Sequence, residues 1–288
     1  MPRGKAIKTL KLIHASVVIL REIQPASVRA VCYKLFTQGL IANMSKSSTN
    51  RVSRALVYAR ERGLIPWAWI VDETRDVERT PSWSDPAAFS EAVKEQYRRD
   101  RWSRQADRVE VWSEKGTIRG MLAPILREYG VGFRVMHGYT SATTAWTVAE
   151  ESRADSRRMV ALYVGDWDPS GMHMSEVDLP GRLGEYGARG LLRRLALGRE
   201  DVERGGLPWF SADDKRKDPR HRWFVANYGG RCWELDALNP NILRARARVE
   251  AAIREYIEWE QWERDARAEE AERATLIDVM GQWKAAAS

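Results

Sequence analysis

Apolar residues recur every three or four positions through the first sixty residues. Ile7, Leu10, Ile13, Val17 and Leu20 predict a helix over residues 5–23. Pro25 opens a second helix, with Val28, Val31 and Leu35 on one face and Gly39 at its end. The polar run NMSKSST supplies a cap for a third, in which Val52, Leu56 and Ala59 face inward and Gly63 closes. LIPWAWIVDE then reads as extended. Residues 72–105 are rich in Asp, Arg, Pro, Ser and Trp and read as a connector with one helix around 86–100. Beyond it the period changes. RVEVWS, VGFRVMHG and MVALYVGD are strand-like, and TIRGMLAPILREYG, TTAWTVAEESR and SGMHMSEVDLPGRLGEYG are helical. Strands alternating with helices of this length predict an α/β unit with a parallel sheet. Residues 190–240 read as irregular. The tail from Ile242 to about Ala274 reads as one charged amphipathic helix striped by Val249, Ile253, Tyr256 and Ile257.

Three short helices and a following strand outline a winged helix-turn-helix over residues 1–71, ahead of the α/β unit at 106–288. Charge separates the two. Residues 1–66 hold twelve Lys or Arg against two acids, a net of +10 in a chain whose total is +7. A basic module on a mildly acidic body predicts a grip on a polyanion. The third helix is the expected reader, with Arg51, Arg54 and Arg62 turned outward to phosphates or base edges, and Lys46 in the polar run ahead of it joins the expected DNA contacts. No run approaches the roughly 18 apolar residues of a membrane span, so a cytoplasmic, nucleoid-associated protein is expected, with no membrane partner. Cys32 and Cys232 lack zinc-ligand spacing. A GxxxxGK[ST] nucleotide loop is absent from the sequence.

In an open α/β sheet, ligands gather at the carboxyl ends of strands. Three acids fall there. Glu114 follows VEVWS, and Asp166 and Asp168 follow VALYV inside GDWDPSG, where Pro169 and Gly171 make a tight turn into a helix. An isolated DxD more often caps a helix or solvates a loop. Joined to a Glu after an earlier strand, and to Lys115 beside it, the pair predicts a Mg²⁺ site, with Mn²⁺ as a substitute. Mg²⁺ takes hard carboxylate oxygens and suits phosphodiester chemistry.

WSEKG at 112–116 and GDWDPSG at 165–171 resemble the two motifs of a Toprim domain. The DxDPxG form is similar to the DNA-breaking subunit of topoisomerase VI and its meiotic double-strand-break relatives, in small phage- or plasmid-type versions. SVRAVCYKLF supplies Arg29 and Tyr33 at the spacing of that family's Arg-x-x-x-Tyr motif, with Ala30 and Cys32 where the family usually has an acid and an aromatic. RRLALGREDVE at 193–203 and WELDALNP at 233–240 resemble its carboxyl half.

The resemblance implies a CAP-like winged helix followed by a Rossmann-like Toprim domain. It implies that Tyr33 attacks a DNA phosphodiester to give a 5′-phosphotyrosyl bond, with Arg29 near the phosphate. Asp166 and Asp168 would hold Mg²⁺, and Glu114 would share the ion or assist the leaving 3′ hydroxyl. Lys115 joins the expected DNA contacts. A homodimer is implied, with the tyrosine of one protomer meeting the metal site of the other, and a separate GHKL-type ATPase subunit for strand passage. Two further readings fit the residues: a Toprim nuclease using metal-activated water, and a non-catalytic DNA-binding protein of a mobile element. Among weaker candidates, His137 and His173 lie near the expected site, KRKDPRHR at 215–222 is a DNA-contacting or solvated loop, and Glu234 and Asp236 are structural or steady the metal loop.

Overall fold

The computed structural model describes residues 7–70, 80–136, 142–235 and 242–286. Three helices open the chain: α1 (Ile7–Ile23), α2 (Val28–Thr37) and α3 (Lys46–Glu61). The Ser27 and Ser45 side chains cap α2 and α3 by accepting the amides of Ala30 and Ser48. The third helix thus begins five residues earlier than Arg51, because the Ser/Thr/Asn run that signals its cap also forms its first turn. Leu20, Val31, Leu35, Val52, Leu56 and Ile65 fill the core between the helices. The extended reading of LIPWAWIVDE is corrected in part. Trp67–Trp69 is a 3-10 turn, with the Arg60 guanidinium 4.1 Å from the Trp67 ring centroid, and only Ile70 makes a bridge, parallel to Ala26. The rest of that segment, from residue 71, lies outside the described residues.

Helix α4 (Pro86–Gln96) lies in the connector, capped by Asp85 with Pro86 at its first turn. The α/β unit then runs β1 (Asp107–Ser113), α5 (Ile118–Glu128), β2 (Gly132–Val135), α6 (Ala142–Ala154) and β3 (Arg158–Val164). After β3 come α7 (Pro169–His173), a π turn (Met174–Asp178), α8 (Leu179–Glu185) and β4 (Gly190–Ala196). The four strands are parallel in the order β2-β1-β3-β4. Strand β4 corrects the irregular reading of residues 190–240. The same stretch holds α9 (Arg199–Glu203) and a short ribbon of β5 (Phe210–Ser211) and β6 (Arg231–Cys232) around α10 (His221–Tyr228).

β3 alternates between two cores, as a strand covered on both faces must. Val160, Leu162 and Val164 pack with Val109, Val111, Ile118, Leu122 and Ile253. Met159, Ala161 and Tyr163 pack with Trp112, Val148 and Leu179. The tail is two helices, α11 (Ile242–Arg254) and α12 (Trp259–Ala286), not one. Between them Ile257 is buried and the Glu258 amide donates to Gln105 Oε1 at 2.7 Å. The connector is pinned along α12 by Arg99 to Asp265 (3.0 Å), Arg101 to Glu269 (3.0 Å) and the Tyr97 hydroxyl to Glu272 (2.6 Å). No helix among the described residues is long and apolar enough to cross a membrane.

Candidate active site

The strand order decides where a site can form. From β1 the chain crosses to β2 on one side, and from β2 to β3 on the other, so the connections diverge between β1 and β3. Their carboxyl ends make the crevice where open α/β sheets bind ligands. Trp112 pairs with Tyr163 in the register, and two residues later Glu114 and Gly165 leave the sheet together. Glu114 and the Asp166–Asp168 turn therefore come to one place, as the sequence predicts.

Each acid is held differently. Asp168 caps α7: its Oδ1 accepts the Gly171 amide at 2.8 Å, while its Oδ2 pairs with the Lys215 ammonium. Capping and site membership thus coexist in one side chain. Asp166 is buried; its Oδ1 accepts the Leu235 amide (2.7 Å) and its Oδ2 meets Lys115 Nζ (2.8 Å). Burial raises the pKa of Asp166, and Lys115 opposes that rise. Glu114 takes no hydrogen bond or ion pair among the described residues. Burial first, then the charges of Asp166 and Asp168, push its pKa up, against smaller opposing pulls from Lys115 and Lys215.

The turn is braced from below by Arg194 on β4. Its guanidinium donates to the carbonyls of Gly165 (3.0 Å), Gly171 (3.0 Å), Leu197 (2.8 Å) and Asp166, and to Ser175 Oγ (2.6 Å). Gly171 sits so close to the Asp166 backbone that a Cβ there would stand 2.5 Å from the Asp166 carbonyl oxygen. From the other side a strap, residues 233–235, lies against the turn. Trp233 and Trp167 exchange backbone hydrogen bonds of 2.9 Å, and the next residue but one supplies the amide for Asp166.

Between those two backbone anchors, the Glu234 side chain points to α2. Its carboxylate takes the Arg29 guanidinium, the Tyr33 hydroxyl is near enough to help hold it ionised, and Lys115 Nζ stands 3.5 Å away. Against burial, these three donors bring the Glu234 pKa down to about 2. Tyr33 is buried but stands outside the helical core that takes its neighbours Val31, Cys32 and Leu35. Within a single chain, Arg29 and Tyr33 are joined through Glu234 and Lys115 to Asp166.

The remaining residues are placed as follows. Lys46, Arg51 and Arg54 lie on α3, all three exposed. Lys115 is turned onto the acids. Lys215, from the loop read as solvated or DNA-contacting, is a member of the cluster. His173 packs edge-on against Trp223, with ring centroids 5.0 Å apart. His137 and Asp236 lie outside the described residues. Arg194, Lys215 and the strap amide of Leu235 are site residues that the sequence reading does not single out. The local signal for Arg194 and Leu235 is the RRLALGREDVE and WELDALNP stretches on which the resemblance draws, and that for Lys215 is KRKDPRHR, read for DNA contact rather than for pairing with an acid.

Among the described residues, no three His, Cys, Asp or Glu side chains stand in a ligating arrangement. The donor chemistry nevertheless suits a hard divalent cation. Three carboxylates repel one another, and ammonium groups cover the outward oxygens of Asp166 and Asp168. Comparison with protein-family models, with curated proteins and with solved structures gives no match.

Proposed function

We propose that the chain is a Mg²⁺-dependent DNA strand-cleaving transesterase, of the kind found in the DNA-breaking half of type IIB topoisomerases. One observation supports this reading above the rest. Tyr33, with a guanidinium four residues before it, is tied to the Asp166–Asp168 turn through Glu234 and Lys115.

In the reaction, Tyr33 Oη forms a bond to phosphorus and the bond from phosphorus to the 3′ oxygen breaks. The 5′ end remains on the tyrosine. The phenolic proton passes to the Glu234 carboxylate as it withdraws, or to water, and the departing 3′ oxygen takes a proton from the ammonium of Lys115 or from water. Arg29 neutralises phosphate charge in the attack. Asp166, Asp168 and Glu114 would hold Mg²⁺ or Mn²⁺, which supplies charge neutralisation on the phosphate. Lys46, Arg51 and Arg54 would follow the duplex backbone. A homodimer would place one tyrosine on each strand, and strand passage would draw on a separate GHKL-type ATPase subunit.

The test is incubation of duplex DNA with the purified protein and Mg²⁺ or Mn²⁺, followed by denaturation and detection of protein on 5′ ends. Adduct that vanishes in Tyr33→Phe is the expected result. Cleavage that persists in Tyr33→Phe and is lost in Asp166→Ala would replace transesterification by hydrolysis. Salt-sensitive DNA binding without cleavage under any metal would leave a DNA-binding protein.

A further inference from the structure

Three donors from two separate elements meet on one carboxylate. Arg29 and Tyr33 come from α2, and Lys115 from the turn after β1. The acid they share, Glu234, comes from neither; the strap inserts it between them. Arg29 Nη2 and Lys115 Nζ address the same oxygen, Oε2, the second at 3.5 Å, and the nearby Tyr33 hydroxyl helps to hold the same carboxylate ionised. A planar guanidinium, a point-charge ammonium and a hydroxyl around one monoanion are the donor set that binds a phosphodiester, which carries the same charge. The arrangement opens outward on one side. The Arg29 side chain is 51% exposed, against 16% for Glu234. The donors are fixed by helix and strand-end packing, so they stay in place if the strap side chain swings away.

We infer that Arg29, Tyr33 and Lys115 form a phosphodiester subsite, and that Glu234 fills it in the DNA-free chain as an internal anion which the incoming phosphate displaces. The inference rests on DNA being the ligand, as proposed above, but not on cleavage. It explains why a carboxylate is placed where a cutting site would otherwise repel its substrate. While Glu234 is seated, Arg29 and Lys115 are spent on an internal partner and stray anions are excluded. A duplex that docks on the basic helices delivers a phosphate at high local concentration and wins the exchange.

The test measures binding of a short duplex oligonucleotide in EDTA by fluorescence anisotropy, so that neither metal nor strand cutting enters. Glu234→Gln removes the competing charge and keeps the shape. It should bind on the order of tenfold tighter than wild type, as expected for removing a like charge within a few ångströms of phosphate. Its salt dependence should steepen by about one counterion, as the Arg29 guanidinium turns from the carboxylate to phosphate while Lys115 keeps Asp166. Glu234→Asp, which draws the same charge back by one methylene, should bind tighter than wild type by a smaller factor. Adding Arg29→Ala and Lys115→Ala to Glu234→Gln should erase the gain. Equal or weaker binding by both Glu234 variants overturns the inference. Tighter binding with no covalent adduct in any variant keeps the subsite and removes the transesterase. Adduct formation with unchanged binding in Glu234→Gln does the reverse.

Discussion

Arg194→Met keeps an unbranched stem of the same reach as far as Nε and deletes all five of its hydrogen bonds. The loss is not five independent bonds. The Gly165 carbonyl keeps the Leu197 amide at 2.8 Å, and the Gly171 carbonyl keeps Ser175 Oγ at 3.1 Å. The carbonyls of Asp166 and Leu197 have no other donor among the described residues. Two orphaned interior carbonyls cost about 1–3 kcal/mol each. Relief from holding a guanidinium away from water offsets some of that, since burial alone pulls the Arg194 pKa down. The net is about 3 kcal/mol, which for a chain of this size lowers the melting temperature by about 5 °C. The assay is thermal unfolding followed by tryptophan fluorescence and circular dichroism. Trp167 lies inside the braced turn, 5.3 Å from Tyr228 ring to ring, so its emission should redden before global unfolding. A melt within about 1 °C of wild type would mean that water replaces the guanidinium and that the turn does not depend on its brace.

Two further outcomes follow from the same geometry. Gly171→Ala sets a Cβ against the Asp166 backbone, which cannot rotate away; destabilisation of about 1–3 kcal/mol is expected in chemical denaturation, with loss of DNA cleavage and unchanged helix content. Glu114→Gln should stabilise the metal-free protein at neutral pH. A raised folded-state pKa means that the folded chain holds the proton more tightly, so stability falls as pH rises from the ordinary glutamate value through the raised one. The gain over wild type should therefore be present at about pH 7.5 and disappear near about pH 4, where the folded wild type is neutral at that position as well. A Glu114→Gln variant that melts below wild type at neutral pH would contradict the mutual repulsion of the acids.

Much of this arrangement is legible in the residue pattern, and the exceptions have physical reasons. VALYV is a continuous apolar run because β3 is covered on both faces, which locates its end and with it Asp166 and Asp168. Glu114 follows from VEVWS in the same way. β4 is hard to see because Gly190–Ala196 has neighbouring arginines in the middle of an edge strand, where one flank is free of pairing. One of them, Arg193, reaches out to Glu255, and the other turns in under the acids. The break between α11 and α12 is masked by uniform charge. Lys215 and Leu235 reach the site from 47 and 69 residues away from the aspartates they touch, and nothing local ties them to those acids. Tyr33 and Arg29 are visible as a spacing, but the acid they bind is 205 residues beyond Arg29.

That last separation bears on the order in which the molecule comes into being. On a ribosome the basic helices emerge first, then the strands with Glu114 and the aspartates, and the strap only afterwards. Until residue 235 is free, Asp166 lacks the Leu235 amide, Tyr33 lacks the Glu234 acceptor, and the helix carrying them is not yet tethered to the acids through that residue. The basic helices of a nascent chain are in place before Tyr33 can be aligned with the acids. The same short strap that seats Glu234 also dates the site, which closes only after the basic helices and the strands that carry the acids have been made.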